Sequence, residues 1–282
     1  MRIVYLNGEY LPQEKACISV FDRGFTFGEG VYEVIPVFSG CLFRLEEHVQ
    51  RLQSSLSAID IKNPYTLAEW QAIFTKLLEQ NPARGDQSVY VQVTRGVSER
   101  DHIYSSEQVP TVFAMCRTIV ERDLSQGVTA ITHADIRWEY CYIKATTLLP
   151  GVLLKNRAKK QDGSMEAILI RDGYVTEGAA SNVFIVKNGV IKTPEKDGYV
   201  LPGITRDLLI ELLHKAGIPC EETRITEAEL EEADEIWITS STIDIAPIVR
   251  LDGKPVGTGK TGAMWKRAID LYRSFKKQAV EQ

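Results

Sequence analysis

The stretch Tyr174–Val186, which reads YVTEGAASNVFIV, decides much of the fold. Small residues follow Glu177 in it, and strand-like apolar runs lie on both sides, the first at Glu166–Arg171. The Asp-Gly pair at 172–173 and the Asn-Gly pair at 188–189 are typical of tight β-hairpin turns. We therefore expect two successive hairpins with a carboxylate on the crossover between them, where glycine lets the backbone approach a ligand closely.

Further turn pairs extend this hairpin pattern towards both ends of the chain. Asn7-Gly8, Ser39-Gly40 and Asp252-Gly253 each predict a reversal between two strands. Adjacent hairpins favour mixed, largely antiparallel sheets over a doubly wound one. We therefore predict an α/β fold with α+β character, in which helices pack on such sheets. Other strands are expected at Ser88–Arg95, Thr111–Ile119, Gly127–Asp135 and Glu235–Thr239.

Helical periodicity separates these strands. Thr66 and Glu69 form a capping-box pair that predicts the start of one helix. Buried faces are expected from three sets of residues: Leu45, Val49, Leu52 and Leu56; Leu67, Trp70, Phe74 and Leu77; and Met264, Ala268, Leu271 and Phe275. Further helices are expected at Leu149–Lys160, from near Thr205 to Gly217, and at Ile225–Ala233.

A charged connector suggests where the chain divides. We expect a smaller N-terminal α/β domain at 1–119, a linker at 120–126, and a larger C-terminal α/β domain at 127–282 that carries Lys144. A chain of 282 residues is long enough for two such domains.

Composition narrows the class of function. The net charge of −5 argues against a positively charged surface that binds nucleic acid. No apolar run approaches the roughly 20 residues of a membrane span. Five scattered cysteines have no metal-ligand spacing, which favours reduced core residues in a cytoplasmic protein and no metal site. The first residues predict a hairpin rather than a signal peptide.

Two isolated residues could carry chemistry. Lys144 stands alone in the run CYIKATTLLP. Either it is a surface lysine near a strand end, or its amine condenses with an aldehyde cofactor and then moves a proton on the substrate. Glu177 is either an ordinary carboxylate near a turn or the partner of a protonated ring nitrogen, which is what pyridoxal phosphate requires.

An anion site and a carboxylate site are weaker candidates. Gly203-Ile204-Thr205 opens a helix, so it is either an ordinary cap or a phosphate site built from free N–H groups. Ser240, Ser241 and Arg51 would add donors. The long polar loop at 96–110 is either a solvated loop or the carrier of a pair that binds a substrate carboxylate. The pair would be Arg100 and His102, with Tyr32 as a further donor.

Taken together, these residues resemble the class IV aminotransferases, the fold-type IV pyridoxal-phosphate enzymes. The resemblance runs over nearly the whole chain and is most specific at TEGAASNVFIVKNGVIKTP and LPGITRDLLIELL. It implies two α/β domains with the cofactor between them, and a homodimer that acts on small amino acids and 2-oxo acids. Lys144 is similar to the Schiff-base lysine and Glu177 to the partner of the pyridine nitrogen. The resemblance also implies a phosphate site made by Arg51, Ile204, Thr205, Ser240 and Ser241, with Leu201 packed on the ring.

Within this family the D-amino-acid transaminases are the most similar branch. Tyr32 in a Y-E-V context and the Arg100-x-His102 pair both match that branch, in which the pair binds the substrate α-carboxylate from the neighbouring subunit. Ala179 and Ala180 depart from it, because hydroxyl residues are common there. Expected function is transamination between a D-amino acid such as D-alanine and a 2-oxo acid such as 2-oxoglutarate. The alternatives are a branched-chain L-transaminase, an (R)-amine transaminase, an aminodeoxychorismate lyase, or a binding protein that has lost the cofactor.

Overall fold

The strands of the computed structural model, which describes residues 2–105, 107–161 and 163–281, belong to two separate sheets. The chain divides into two units by its contacts. The first unit runs up to Val120 and includes the short segment Ile143–Thr147, and the second unit comprises Glu121–Tyr142 and the chain from Leu148 onward. The expected division at 120–126 into two domains stays a prediction, and the segment that carries Lys144 packs with the first unit.

The first unit has one antiparallel sheet. Its strands are β1 (Ile3–Leu6), β2 (Glu9–Pro12), β3 (Gly30–Phe38), β4 (Cys41–Leu42), β5 (Gln87–Thr94) and β6 (Thr111–Thr118). They lie in the order β2-β1-β6-β5-β3-β4, with each pair antiparallel. Asn7 and Gly8 have φ of 48° and 98°, the left-handed conformation that their turn requires.

Three α-helices and a short 3-10 helix at Gln13–Lys15 complete the described part of the first unit. The α-helices are α1 (Arg23–Thr26), α2 (Leu45–Ala58) and α3 (Leu67–Glu79). The capping box at Thr66 and Glu69 is present as predicted. Trp70, Phe74 and Leu77 are fully buried in the core beside the sheet. Leu67 was expected on this face but is 39% exposed, because the first residue of the helix lies at the edge of the core.

The segment Ile143–Thr147 belongs to the core of the first unit. Ile143 and Ala145 are buried there, and Ala145 forms an antiparallel bridge with Val31. The Tyr32 N–H donates to the carbonyl of Lys144 at 3.0 Å, and the Thr146 N–H donates to the carbonyl of Gly30 at 2.9 Å. These bonds hold Lys144 beside the beginning of β3.

The second unit has a mixed sheet. Its strands are β7 (Val128–Ala134), β8 (Glu166–Arg171), β9 (Tyr174–Gly178), β10 (Asn182–Lys187), β11 (Val190–Thr193), β12 (Cys220–Glu222), β13 (Glu235–Ser240), β14 (Asp244–Leu251) and β15 (Lys254–Pro255). The order is β12-β11-β10-β13-β14-β7-β8-β9, with β15 beside β14. The pairs β11–β12, β14–β7 and β7–β8 are parallel and the rest antiparallel, which confirms the expected fold class.

The two central hairpins form as predicted. Asp172-Gly173 joins β8 to β9 and Asn188-Gly189 joins β10 to β11, and all four residues have positive φ. Between the hairpins, the Gly178 N–H donates to the carbonyl of Ser181 at 2.7 Å. Glu177 is not on the crossover itself but is the second-last residue of β9. Its side chain is therefore held by a strand rather than by a loop.

Four helices pack with the second unit: α4 (Leu149–Lys160), α5 (Ile204–Lys215), α6 (Glu227–Glu231) and α7 (Ala263–Glu281). Of the four residues expected to share a face of α7, only Ala268 is fully buried. Trp265, Ala268, Ile269 and Tyr272 are buried, whereas Met264, Leu271 and Phe275 are only partly buried, because the bulkiest aromatic residues take the core positions.

Two further expectations concern the cysteines and the membrane. Cys116 and Cys141 are buried, but Cys17 and Cys41 are exposed, so the cysteines are not uniformly core residues. All five are free thiols. In the described part of the chain, no helix has the length and apolar character needed to cross a lipid bilayer.

Candidate active site

Lys144 is a half-buried residue of the first unit. Its N–H donates to the Ser55 hydroxyl at 3.1 Å, and its Nζ lies 4.3 Å from the centre of the Tyr32 ring. Tyr32 in turn stacks on Tyr90 with 5.7 Å between ring centroids. Burial raises the pKa of Tyr90 to about 12, so that ring stays uncharged. Two predicted site residues, Lys144 and Tyr32, are thus in direct contact.

Arg51 lies in a buried ionic cluster of the same unit. Its Nε and Nη2 donate to the two oxygens of Glu33 at 2.7 and 2.9 Å, so the guanidinium fork predicted for a phosphate is engaged by a carboxylate. Nδ1 of His48 is 2.7 Å from Glu33 Oε2. Burial opposes ionisation of Glu33, but Arg51 and His48 outweigh it and hold the pKa of the carboxyl well below its usual range. Burial lowers the pKa of His48, which favours a neutral imidazole that donates to Glu33.

Glu177 is the centre of a hydrogen-bond network in the second unit. Its carboxylate is buried, and Oε1 accepts a short hydrogen bond from Nη1 of Arg137. Oε2 accepts from the Asn182 side-chain amide and from the Leu201 N–H, both at 3.0 Å. An ionised carboxylate can accept about four hydrogen bonds. Within the described residues, one acceptor position on Oε1 is left for another donor.

The charge of Glu177 is balanced by its neighbours. Burial raises the pKa of the Glu177 carboxyl to about 7, although Arg137 and the Leu201 N–H favour the ionised form. Arg137 is itself fixed by Asp135, whose oxygens accept from its Nε and Nη2 at 2.9 and 2.8 Å. Burial raises and Arg137 lowers the pKa of Asp135, with a net decrease. A further positive charge at Glu177 would shift that carboxyl towards the ionised form.

The N-terminus of α5 adjoins this network. Gly203 is the N-cap residue and makes no side-chain cap, so the first N–H groups of α5 receive no acceptor from that position in the described chain. The Asn182 amide bridges from Glu177 to the carbonyl of Leu201, at 2.9 Å. A Cβ atom on Gly203 would lie 1.9 Å from the Asn182 Oδ1. Glycine is therefore required where the β9–β10 crossover meets this helix, which begins at Ile204 and buries Thr205.

The two predicted serines lie at the end of β13. Ser240 is the last residue of the strand and Ser241 follows it, both half-buried. Among the residues that the structure describes, neither hydroxyl has a hydrogen-bond partner. The Thr239 hydroxyl is fully buried and also lacks a partner there. Donors without protein acceptors are suited to an anion, so the prediction for these serines is chemically reasonable.

Arg100 and His102 are exposed in the loop after β5, as predicted. The Arg100 guanidinium lies 5.0 Å from the centre of the Phe27 ring, and the His102 ring lies 5.5 Å from it. The structure thus brings this pair together on one aromatic side chain.

Sequence reasoning missed several residues of these clusters. Arg137, Asp135 and Asn182 support Glu177, and Glu33 and His48 support Arg51. No local pattern marks Arg137, because its partner Glu177 lies in a distant part of the chain. Asn182 stood in the quoted stretch, and its place after a run of small residues was the available signal.

Comparison with known proteins identifies the family. The model of the amino-transferase class IV family matches residues 30–251. The chain belongs to the class IV aminotransferases. The match covers both halves of the chain, including Lys144 and Glu177.

Named relatives of this class IV aminotransferase are D-alanine aminotransferases. The protein from Bacillus licheniformis is 40% identical over 93% of both chains. The protein from Listeria monocytogenes is 42% identical over 92% of this chain and 91% of its own.

Solved structures give a second comparison. The branched-chain aminotransferase of Thermoproteus uzoniensis with norvaline has a TM-score of 0.88 and 27% identity, covering 96% of this chain and 93% of the other. A branched-chain amino acid aminotransferase complexed with N-(5'-phosphopyridoxyl)-L-glutamate has a TM-score of 0.86 at 26% identity, covering 96% and 92%.

Proposed function

We propose that this class IV aminotransferase uses pyridoxal 5'-phosphate to transfer an amino group from a D-amino acid such as D-alanine to a 2-oxo acid such as 2-oxoglutarate. The observation that carries the proposal is the state of Glu177. It is a buried carboxyl with a pKa of about 7, a guanidinium partner and one acceptor position left for an N–H group. The relatives named above add support for the D-amino acid.

The residues present fit the ring of this cofactor. A protonated pyridine nitrogen is an N–H donor with a positive charge. The remaining acceptor position on the Glu177 carboxylate would suit such a donor. Bound pyridoxal phosphate supplies an electron sink for the pair released when the substrate Cα–H bond breaks. Glu177 keeps the nitrogen protonated, and Arg137 with Asp135 keeps Glu177 in place. Leu201, whose N–H binds Glu177, is proposed to pack on the ring.

The phosphate is proposed to bind at the start of α5. The uncapped N–H groups near Ile204 and Thr205 and the positive end of the helix dipole favour an anion. The hydroxyls of Ser240 and Ser241 add donors. Arg51 is also proposed to take part, but its Nε and Nη2 already donate to Glu33, so it does not offer a free guanidinium fork.

Lys144 is proposed to form the covalent link to the cofactor and to carry the proton. Its amine lies on the Tyr32 ring, and its backbone is fixed by hydrogen bonds to Ser55 and Tyr32. When the substrate amine has replaced it in that link, the free Lys144 amine would serve as the base that takes the proton from the substrate Cα. Tyr32, Arg100 and His102 are proposed to bind the substrate α-carboxylate.

Substrate specificity is the finer part of the proposal. The D-alanine aminotransferases are 40 to 42% identical to this chain, whereas the branched-chain structures are 26 to 27% identical. This difference favours a D-amino acid over a branched-chain L-amino acid as the substrate.

We further propose a cytoplasmic homodimer. Two apolar surfaces of the second unit are exposed in the single chain, and a second copy would cover them. One consists of Trp138, Tyr140 and Tyr142, and the other consists of Leu149, Val152 and Leu153 on α4. Arg100 and His102 are proposed to act in the neighbouring subunit.

The variant Lys144→Ala tests the assignment. Without the amine that moves the proton, turnover of D-alanine should fall by at least about 100-fold. The absorbance of bound cofactor should change, while part of the cofactor stays bound through the other groups. Lys62→Ala, an exposed lysine of the same unit, should retain normal turnover. Ordinary activity in Lys144→Ala would overturn the proposal.

A half-reaction panel tests the substrate class. The wild-type enzyme is mixed with D-alanine, L-leucine or an (R)-arylamine, and the loss of the yellow cofactor absorbance is followed. D-alanine should react fastest. A faster reaction with L-leucine or the arylamine would assign another specificity, and absence of the yellow cofactor would indicate a binding protein.

A further inference from the structure

The loop after β5 carries the side chains of Arg100 and His102 on a single aromatic ring. Phe27, which follows α1, contacts Arg100 at 5.0 Å and His102 at 5.5 Å with an interplanar angle of 62°. Both loop residues are exposed, whereas Phe27 is half-buried. An exposed arginine has many rotamers, and fixing it on a ring face reduces the entropy lost when a ligand binds.

The ring itself is held by a buried arginine. The Arg23 guanidinium is fully buried and lies 4.5 Å from the centre of the Phe27 ring. Its Nε and Nη2 donate to Glu29 at 2.9 and 2.6 Å. The guanidinium is thus part of a paired charge cluster that is costly to rearrange.

Arg23 also fixes the loop backbone on both sides of Arg100. Its N–H donates to the carbonyl of Gly96 at 2.8 Å, and its Nη1 donates to the carbonyl of Asp101 at 2.6 Å and to the Ser98 hydroxyl at 3.3 Å. Arg95 supports the far part of the loop, because its guanidinium stacks on Tyr104 at 3.5 Å. Backbone and side chains of the loop therefore depend on the same small group of residues.

We propose that Phe27, held by Arg23, is the positioning residue for the Arg100 and His102 pair. The proposal rests on the proposed function, in which this pair binds the substrate carboxylate. Phe27 does not touch the substrate. It sets the direction of the guanidinium and the imidazole before the substrate arrives, so its loss should weaken carboxylate binding and leave the proton-transfer step intact.

The main test compares three variants of the intact holoenzyme. Phe27→Leu keeps the apolar bulk but removes the ring, and the KM for D-alanine should rise about 3- to 10-fold with kcat little changed. Phe27→Tyr keeps the aromatic ring, so its KM for D-alanine should equal that of the wild type. Phe25→Leu is the matched control, because Phe25 lies on α1 two residues earlier and is 71% exposed.

A binding measurement removes turnover from the test. Propanoate is the carboxylate of D-alanine without its amine, and calorimetry gives its dissociation constant for each variant. Phe27→Leu should weaken propanoate by the same factor as it raises the KM. In the Arg100→Ala background, Phe27→Leu should weaken propanoate binding by a smaller factor than in the wild type, because only His102 remains of the pair through which it acts.

Three results would overturn the inference: unchanged propanoate binding in Phe27→Leu, full additivity with Arg100→Ala, or an equal loss in Phe25→Leu. If Phe27→Leu unfolds, Phe27→Tyr still tests the inference. Because tyrosine keeps the ring face, Phe27→Tyr should bind propanoate like phenylalanine both with Arg100 present and in Arg100→Ala. A difference between tyrosine and phenylalanine that depends on Arg100 would contradict a role for the ring face. A wild-type enzyme that binds propanoate through Phe27 but does not transaminate D-alanine would overturn the proposed function alone. Transamination of D-alanine with no effect of Phe27 would overturn the inference alone.

Discussion

At the scale of single residues, the two buried clusters differ in how each charged group is neutralised. Glu33 and Glu177 are both buried glutamates, but their partners differ. Glu33 faces Arg51 and His48, and its pKa falls below the usual range. Glu177 has one guanidinium partner, and its pKa is raised to about 7. The first carboxylate is permanently charged, whereas the second is poised to respond to a cation.

This difference gives a pH prediction for the cofactor-free protein. The pKa of Glu177 is raised in the folded state from an ordinary value of 4.5, so the folded state binds this proton more tightly than the unfolded chain does. The resulting stability is present below about 4.5 and is lost as the pH rises through about 7. Glu177→Gln cannot titrate, although it still faces Arg137 and Asp135.

The measurement is the melting temperature of both proteins from pH 4.5 to 8. Glu177→Gln should gain stability relative to wild type as the pH rises towards 7, and the difference should then remain constant. Adding cofactor should reduce this gain, because the positive ring nitrogen stabilises the charged glutamate. A difference that does not depend on pH would contradict the raised pKa.

At the scale of elements, the contact between the start of β10 and the start of α5 determines how Glu177 is hydrogen-bonded. A methyl group on Gly203 would overlap the Asn182 amide, which bridges Glu177 and Leu201. Gly203→Ala should therefore cost about 1 to 3 kcal/mol in the free energy of unfolding and weaken cofactor binding. Urea denaturation and cofactor titration measure the two effects.

The companion variant is Asn182→Ala. Because it removes the overlapping amide, Gly203→Ala should cost much less in that background. Equal costs in both backgrounds would show that the overlap with Asn182 is not the cause.

Local signals explain how much of the fold could be predicted. Asn-Gly and Asp-Gly pairs determine hairpins from adjacent residues alone, and the capping box at Thr66 marks a helix start in the same way. Periodicity alone did not predict the buried face of α7, because Tyr272 rather than Leu271 fills the core. The guanidinium of Arg51, expected to bind a phosphate, donates to Glu33 instead. Arg137 was missed because only the folded chain brings it into contact with Glu177.

At the scale of the whole molecule, the proposed dimer makes activity depend on two chains. If Arg100 acts in the neighbouring subunit, a mixed dimer of Lys144→Ala and Arg100→Ala contains one complete site. Random exchange of equal amounts should then restore roughly a quarter of wild-type kcat/KM for D-alanine.

The measurement is made at low D-alanine, where loss of Arg100 has its greatest effect. Each variant alone, taken through the same dissociation and reassociation, is the control. If the mixture is no more active than the average of the two controls, Arg100 acts within its own chain or the protein does not exchange subunits. Mass spectrometry of the intact mixture separates these cases, and a mixed dimer without activity contradicts the prediction.

The segment Ile143–Thr147 has a consequence for how the protein is made. A ribosome releases Val31 early, but Ala145, its bridge partner, emerges only after β7 and the aromatic stretch that follows it. The bridge between this segment and β3 can therefore form only late in synthesis, and the amine of Lys144 reaches the Tyr32 ring at that step. A gene cut at the 120–126 connector would give two fragments, and the amino-terminal one would lack the piece that completes its own core.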